Sequence, residues 1–451
     1  MLPTEGDTKE HQTLRHLLGK LEERQNHLKY LDAYFDGEQP LAFLTPKDAE
    51  RLKNRVTKLT VNIPRLVVNS LAERLRIIAL VRGGQIDPWL WSVWQQNDCD
   101  EQSAALHREV LALGKAFVLV WADDKGNPTL SVETARQFYA IEDPGTGEIR
   151  AAVKRWTRPD VERPELSVDV AVLYLPNEII RFESNPSTAP EAGAWNRVNT
   201  IPNPLGFVPV VQFKNSERLS DEHGISEMRD VIPMTDGLTK IMSDVMVTSE
   251  YYARPRRWAT GIELEDNEDF DNDKPESAEN PSVKSPFPEN SEAPWTSESE
   301  LTKFGNFETA NMNGYEVPVR ILLGQIMAVS TLPAHYVGIL SNSPVSADSI
   351  RASEASLTAR AHARMRSFGR SWERVLRMVY EVGERTLMPS EHVSAVWADP
   401  STRTIAQEAD AASKISDSLG SVPPALLERL GFDPNMLPVL NPKNENGDEE
   451  A

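Results

Sequence analysis

The sequence predicts an α+β fold, mainly helical with a small antiparallel β region, on three observations. Apolar residues recur at the helical period in several long stretches. Short β-rich runs separated by turn residues fill residues 115–214. Apolar residues make up 40% of the 451, enough to build a core in about three compact units.

In chain order, Leu14, Leu17, Leu18, Leu21, Leu28 and Leu31 mark a helix over residues 13–34, which Asp36-Gly37 ends. Leu66, Val67, Leu71, Leu75 and Ile78 mark a second over residues 64–80, with Pro64 in its first turn. A third spans residues 88–113. Residues 117–121, 129–133, 149–156, 168–175 and 207–214 are expected strands of one small sheet. Asp124 to Asn127 and Asp143 to Gly147 supply its turns, since Gly and Asn accept the positive φ of tight reversals.

Helical spacing returns over residues 231–252. Val231, Leu238, Val245 and Tyr252 repeat every seven residues, with Ile241, Met242 and Met246 alongside, and Pro233 must sit in the first turn. So wide a stripe is either the core of a single chain or a face packed against neighbouring subunits. Residues 261–300 carry 13 acidic residues against Lys274 and Lys284, together with five prolines, which predicts an extended acidic insertion. A small insertion domain held by Phe270, Phe287, Trp295 and Phe304 is the alternative.

Val319, Leu322, Leu323, Ile326 and Val329 then mark a helix that Thr331-Leu332-Pro333 should break, and a second break is expected at residues 338–344. Ser346 is a suitable N-cap for a long helix whose face carries Ile350, Leu357, Met365, Phe368, Trp372, Leu376 and Val379. Residues 404–419 and 424–430 read as short helices, and residues 444–451 as an acidic tail.

Forty-eight Lys and Arg against 68 Asp and Glu give a net charge of −20, which disfavours nonspecific DNA coating by the whole surface. No stretch approaches the roughly 20 apolar residues that span a bilayer, so no membrane partner is expected. The single Cys99 rules out an internal disulfide and fits a reducing cytoplasm.

Enzyme signatures fail one by one. Neither Gly19-Lys20 nor Gly114-Lys115 lies in a phosphate-binding loop, and Gly145 and Gly147 are explained by a hairpin turn. Gly224-Ile225-Ser226 begins like a nucleophile elbow, but Met228 stands where the second glycine belongs. Asp269, Asp271 and Asp273 have calcium-loop spacing, yet Lys274 and Asn280 replace the required glycine and glutamate. We therefore expect no enzyme activity, no cofactor and no metal. A hydrolase with unrecognisable catalytic groups is the remaining alternative of that class.

One region departs from the acidic mean. Residues 351–377 hold seven arginines against Glu354 and Glu373, and Arg360 with Arg364, and Arg366 with Arg370 and Arg374, recur every four residues on a helix side. Such a stripe either pairs with acidic neighbours, which is the commoner use, or contacts phosphates.

In the order and spacing of its segments, the sequence resembles the portal proteins of tailed double-stranded-DNA bacteriophages, the siphovirus-type family. The resemblance is carried by Tyr30-Leu31-Asp32-Ala33-Tyr34-Phe35-Asp36-Gly37, Asn69-Ser70-Leu71-Ala72-Glu73-Arg74-Leu75 and Gly206-Phe207-Val208-Pro209-Val210-Val211. It continues through Ala253-Arg254-Pro255-Arg256-Arg257, the run from Ser346 to Glu354, Phe368-Gly369-Arg370-Ser371-Trp372-Glu373-Arg374 and Trp397-Ala398-Asp399-Pro400.

The resemblance implies a portal fold and a dodecameric ring at one capsid vertex of the virion, assembled in the host cytoplasm. Double-stranded DNA would pass through it for packaging and ejection. Its partners would be the terminase large subunit, the major capsid and scaffolding proteins and a head-completion adaptor. By order, residues 1–225 would be the N-terminal arm and wing, and 226–253 the first stem helix. The acidic insertion within 254–314 would be the clip, 315–331 the second stem helix, 332–345 the tunnel-loop region, 346–388 the long wing helix and 389–451 a short crown with the tail. Val231, Leu238, Ile241, Met242, Val245, Leu322 and Ile326 would pack the stem. Ile339, Leu340, Ser341, Asn342, Ser343 and Pro344 would lie nearest the DNA, and Arg360, Arg364, Arg370 and Arg374 form the basic stripe. Another head component, a minor capsid or adaptor protein, is the alternative within the same class.

Overall fold

The computed structural model describes residues 8–40, 60–187, 195–218, 220–253, 257–261, 301–306, 312–338, 346–383, 385, 388 and 391–401. The aspartate triplet, Phe270, Phe287, Trp295, residues 339–344 and the helices expected at 404–419 and 424–430 lie outside them. The chain divides into two units: residues 1–36, 64–230 and 327–451 form the first, and residues 37–63 and 231–326 the second.

The first unit opens with α1, Lys9–Asp36, whose buried Leu14, Leu17, Leu18, Leu21, Leu28 and Leu31 are the predicted stripe. Leu14, Leu17 and Leu18 pack on Ala151, Val153, Ala171, Leu173, Ile180 and Phe182 of a five-stranded sheet. That sheet is an antiparallel meander of β5 (Phe138–Glu142), β6 (Ile149–Pro159), β7 (Ser167–Tyr174), β8 (Glu178–Ser184) and β9 (Trp195–Pro202). Each strand pairs with the next, in the register Val153 opposite Leu173 and Leu173 opposite Ile180.

The helix expected over residues 64–80 is shorter. α2, Ile63–Ala72, gives way to a turn at Glu73-Arg74, and Ile77–Arg82 is a strand, β1. The residues Ile-Ile-Ala-Leu-Val-Arg suit an extended chain, and β1 is held by β13, Val393–Trp397, on one side and β2, Gln85–Ile86, on the other. The helix expected over 88–113 is two helices, α3 (Pro88–Gln96) and α4 (Cys99–Leu113). Asp98 at φ +49 breaks them apart, and the Asn97 amide donates to Val93 O and Pro128 O at 2.9 and 3.1 Å. At its start α3 is capped by Asp87, whose carboxylate accepts from Trp89 N and Leu90 N.

The single sheet expected over 115–214 is two. Besides the meander, β3 (Lys115–Ala122) pairs with β4 (Pro128–Thr134) as a hairpin and with β10 (Val210–Lys214) at its other edge. Two glycines set the return of β10. A Cβ on Gly224, which has φ +72, would stand 2.0 Å from Gly114 O, so only glycine lets these backbones cross. At the crossing Asn215 N donates to Gly114 O, Ile225 N to Asn215 O and Glu227 N to Leu111 O. The motifs that mimicked a phosphate loop and a nucleophile elbow are this crossing.

The longest helix, α7 (Ala347–Val382), starts as expected with Ser346 accepting from Ser349 N. Its buried Phe368 and Trp372 meet Phe213 and Trp94, with the Trp372 ring centroid 5.0 Å from that of Trp94 and 5.1 Å from that of Phe213. Fully buried His107 accepts from Trp372 Nε1 at 2.9 Å and donates through Nδ1 to Leu75 O at 3.1 Å.

The second unit holds α5 (Ile232–Ala253), the ribbon of β11 (Arg257–Thr260) with β12 (Lys303–Asn306), a 3-10 turn (Met312–Tyr315) and most of α6 (Glu316–Ser330). Pro233 falls in the first turn of α5, and α6 ends before Thr331, which adopts φ +60. Phe304 is an exposed residue of β12.

Candidate functional site

The predicted site residues fall into three groups: the striped helices α5 and α6, the loop after α6 and the arginine stripe of α7. In the second unit α5 and α6 approach where the chain is smallest. A Cβ on Gly237 would meet the Leu322 methyls at 3.5 and 3.8 Å, and Thr248 Oγ1 lies 3.1 Å from the Tyr315 hydroxyl. Val231, Leu238 and Ile326 are buried, whereas Ile241, Met242, Val245 and Leu322 are only half-buried.

The burial of α6 is one-sided. Val317 is 63% exposed and Ile321 59%, and Ala328 continues the same side at helical spacing. Gly324 falls between them, with no atom within 4 Å of where its Cβ would be. Met246 on α5 is also exposed. The helices thus bury one stripe and leave a second apolar stripe on the surface. Sequence periodicity showed the width of the stripe but not how it divides.

The arginine stripe divides as well. Arg364 donates through Nε to Glu227 Oε1 at 2.9 Å and through Nη2 to Glu217 Oε1 at 2.7 Å. Arg360 Nη2 lies 2.6 Å from Glu227 Oε2, and its Nη1 donates to Val329 O and Ser330 O, the last carbonyls of α6. The Glu227 side chain is 1% exposed and also accepts from Asn215 Nδ2 at 2.9 Å. These two arginines therefore join α7 to the segment that leads into α5 and to the end of α6. By contrast, Arg366, Arg370 and Arg374 are exposed and make no ion pair among the described residues.

The candidate tunnel loop, Ile339 to Pro344, lies outside the described residues, but both of its flanks are anchored. The 3-10 turn Ala334–Val337 precedes it, and there the Tyr336 hydroxyl accepts from Arg74 Nη2 at 3.0 Å. Arg74 in turn pairs with buried Glu354 of α7 at 3.3 Å, and His335 Nε2 approaches the same carboxylate at 3.4 Å. Sequence reasoning singled out none of Arg74, Glu217, Glu227, Asn215 or Tyr336 as a site residue. The one available signal was that closely spaced arginines in an acidic chain require acidic partners.

Among the described residues no cluster of three His, Cys, Asp or Glu side chains could hold a metal, and no helix is long and apolar enough to cross a membrane. Cys99 is buried, which pushes its thiol up to about 12, so it is no nucleophile at neutral pH.

Comparison with known proteins places these features in one family. The family model described as phage portal protein, SPP1 Gp6-like, matches residues 14–430. The portal protein of Mycobacterium phage L5 is 26% identical over 420 residues, covering 88% of this chain and 80% of that one. The portal protein of Mycobacterium phage D29 is 27% identical over 417 residues, covering 88% and 81%. Among solved structures, a chain from the virion of a native gene transfer agent particle is 11% identical and covers 90% of this chain and 99% of its own, with a TM-score of 0.44. A chain from the neck of the native particle, computed with C12 symmetry, is 12% identical with coverages of 87% and 95% and a TM-score of 0.45. The match over residues 14–430 spans nearly the whole chain, and the chain belongs to the SPP1 Gp6-like phage portal protein family.

Proposed function

We propose that the chain forms a closed ring of identical subunits at one vertex of a phage capsid. Double-stranded DNA moves through its channel while a separate terminase supplies the energy. The observation that carries this reading is the second apolar stripe of α6, Val317, Ile321, Gly324 and Ala328, left uncovered by the chain's own fold. Sister copies arranged head to tail around an axis would each cover the next copy's stripe, and a closing rotation makes a ring.

In this reading α5 and α6 are the stem, the β11–β12 ribbon is the base of the clip, and α7 with the first unit's sheets is the wing. Because β13 pairs with β1, we place the start of the crown after residue 401 instead of at residue 389. Residues 339–344 are the tunnel loop. The small polar side chains Ser341, Asn342 and Ser343 touch DNA without gripping it, because fixed cationic contacts would brake translocation. The chain performs no covalent chemistry. Terminase and the head-completion adaptor dock at the clip end, and scaffolding and major capsid proteins contact the wing.

Light scattering with negative-stain imaging of the purified chain tests the reading. We expect ring-shaped particles of many copies, and Ile321→Glu with Val317→Glu should shift the mass toward single copies. Each side chain removed forfeits about 1.5–3 kcal/mol of burial per interface. A single-copy mass at every concentration would exclude the ring.

A further inference from the structure

We propose that Arg24 of α1 and Lys115 of β3 form a binding site for one dianionic phosphate group. On α1, Leu14, Leu17, Leu21, Leu28 and Leu31 bury one stripe, and Arg24 stands three residues after Leu21 and four before Leu28. A guanidinium thus takes a place in the buried row. It is half-buried and makes no hydrogen bond or ion pair among the described residues. Lys115 opens β3 and is 4% exposed. Its ammonium has three N–H donors and gives one to a neutral acceptor, Gln212 Oε1, at 3.1 Å. The Tyr139 ring of β5 lies 5.9 Å from the same nitrogen. No carboxylate pairs with Lys115 among the described residues, a costly state for a buried charge.

The surrounding groups leave this pair uncompensated. Burial draws the Lys115 pKa down to about 8, with Arg24 the leading charged neighbour, so the ammonium is still charged at neutral pH. Lys20 is committed to Glu23 at 3.0 Å, and Lys214 stands opposite Lys115 in the β3–β10 register. Glu142 and Glu222 favour the charged Lys115 from farther off, but neither forms an ion pair with it or with Arg24 among the described residues, and Glu222 is exposed. His223 is exposed as well, yet burial first, and then Arg24 and Lys115, hold its pKa below the usual value. Exposure thus rises from Lys115 through Arg24 to His223, and the two cations form the floor and wall of a recess.

Charge and donor count select the ligand. Two unpaired cations match the charge of about −2 that a phosphate group carries at neutral pH, whereas a carboxylate would neutralise only one of them. The arginine fork can hold two phosphate oxygens at once, and the two remaining N–H groups of Lys115 can take a third. Each phosphate of a DNA duplex carries a single charge, and the rod itself cannot reach a floor that is 4% exposed. The ligand is therefore free inorganic phosphate or a terminal phosphate monoester. Bound there, it ties α1 to β3 of one sheet and β5 of the other, at the seam of the first unit. The proposal does not depend on ring formation.

Thermal unfolding of the full chain tests it, with inorganic phosphate as the probe at about pH 7.5 and sodium chloride adjusted to hold ionic strength constant. The melting midpoint should rise with phosphate and level off, and titration calorimetry should count one phosphate per chain. Arg24→Gln and Lys115→Met should each weaken binding at least about tenfold, as loss of one charge-assisted partner requires. Arg366→Gln, which removes an exposed arginine of α7, should bind phosphate as the native chain does. No saturable rise at constant ionic strength, or a rise that survives both Arg24→Gln and Lys115→Met, would overturn the proposal. So would acetate acting at the same concentrations as phosphate, because the recess would then be a carboxylate site. A nucleoside 5′-monophosphate that binds more tightly than inorganic phosphate would assign the group to a nucleotide; equal or weaker binding would assign it to the free ion, and either result upholds the site.

Discussion

Burial keeps the His107 imidazole neutral, pushing its pKa down to about 4, and the Trp372 N–H and the Leu75 carbonyl occupy its two nitrogens. The unfolded chain protonates this group near 6.5, so between pH 6.5 and 4 the unfolded state binds more protons and stability falls as pH falls. The contribution is complete above 6.5 and is lost as pH falls, the loss reaching roughly 3 kcal/mol at pH 4. Denaturant midpoints taken at pH 7 and pH 5 should differ more in the native chain than in His107→Gln, and parallel slopes would remove His107 as the cause. Nothing in the sequence marked this histidine, because its partners come from α7 and from the turn after α2. The arginines were different. The four-residue spacing of Arg360 and Arg364 exposed a shared face, yet Glu227 stands 137 residues from Arg364, beyond the reach of any local pattern.

Helices α1 and α7 were legible in the sequence because a 3.6-residue period reports burial of one face, whatever the partner, although α1 begins at Lys9, a turn before the apolar pattern marks it. β1 was not, since its apolar run also fits a helix, and its partner β13 lies on the far side of some three hundred residues; Arg82 and Glu391, which pair beside it, are 309 apart. β9 was hidden for another reason: six of its eight residues are exposed, so no apolar alternation announces it. The same scale holds the clamp of Arg360 and Arg364 on Glu227, which ties α7 to the entry of α5 and the exit of α6. Arg364→Ala would leave a buried carboxylate with one cation fewer and should cost about 3 kcal/mol or more of stability. A double-mutant cycle of Arg364→Met and Glu227→Gln should show coupling above about 1 kcal/mol. Additive effects would mean that the ion pair carries no joint role.

At the scale of the whole molecule, charge is partitioned more sharply than the net −20 suggests, since residues 261–300 alone hold 13 of the 68 acids. The channel reading requires that the surface nearest DNA hold it weakly. Asn342→Arg with Ser343→Arg should therefore slow or stall packaging in a reconstituted assay, more so at low ionic strength. Unchanged packaging would move residues 339–344 away from the DNA path. Family membership was legible from segments scattered along the whole chain, whereas the division of burial on α6 needed coordinates. The ribbon of β11 and β12 has one further implication. It sets Thr260 opposite Lys303, so the forty-odd residues between them begin and end at a single doorway. Whatever is spliced in there starts and finishes at neighbouring points, which gives evolution, or an engineer wishing to mount a reporter, freedom to trade that stretch for another without re-spacing the helices behind it.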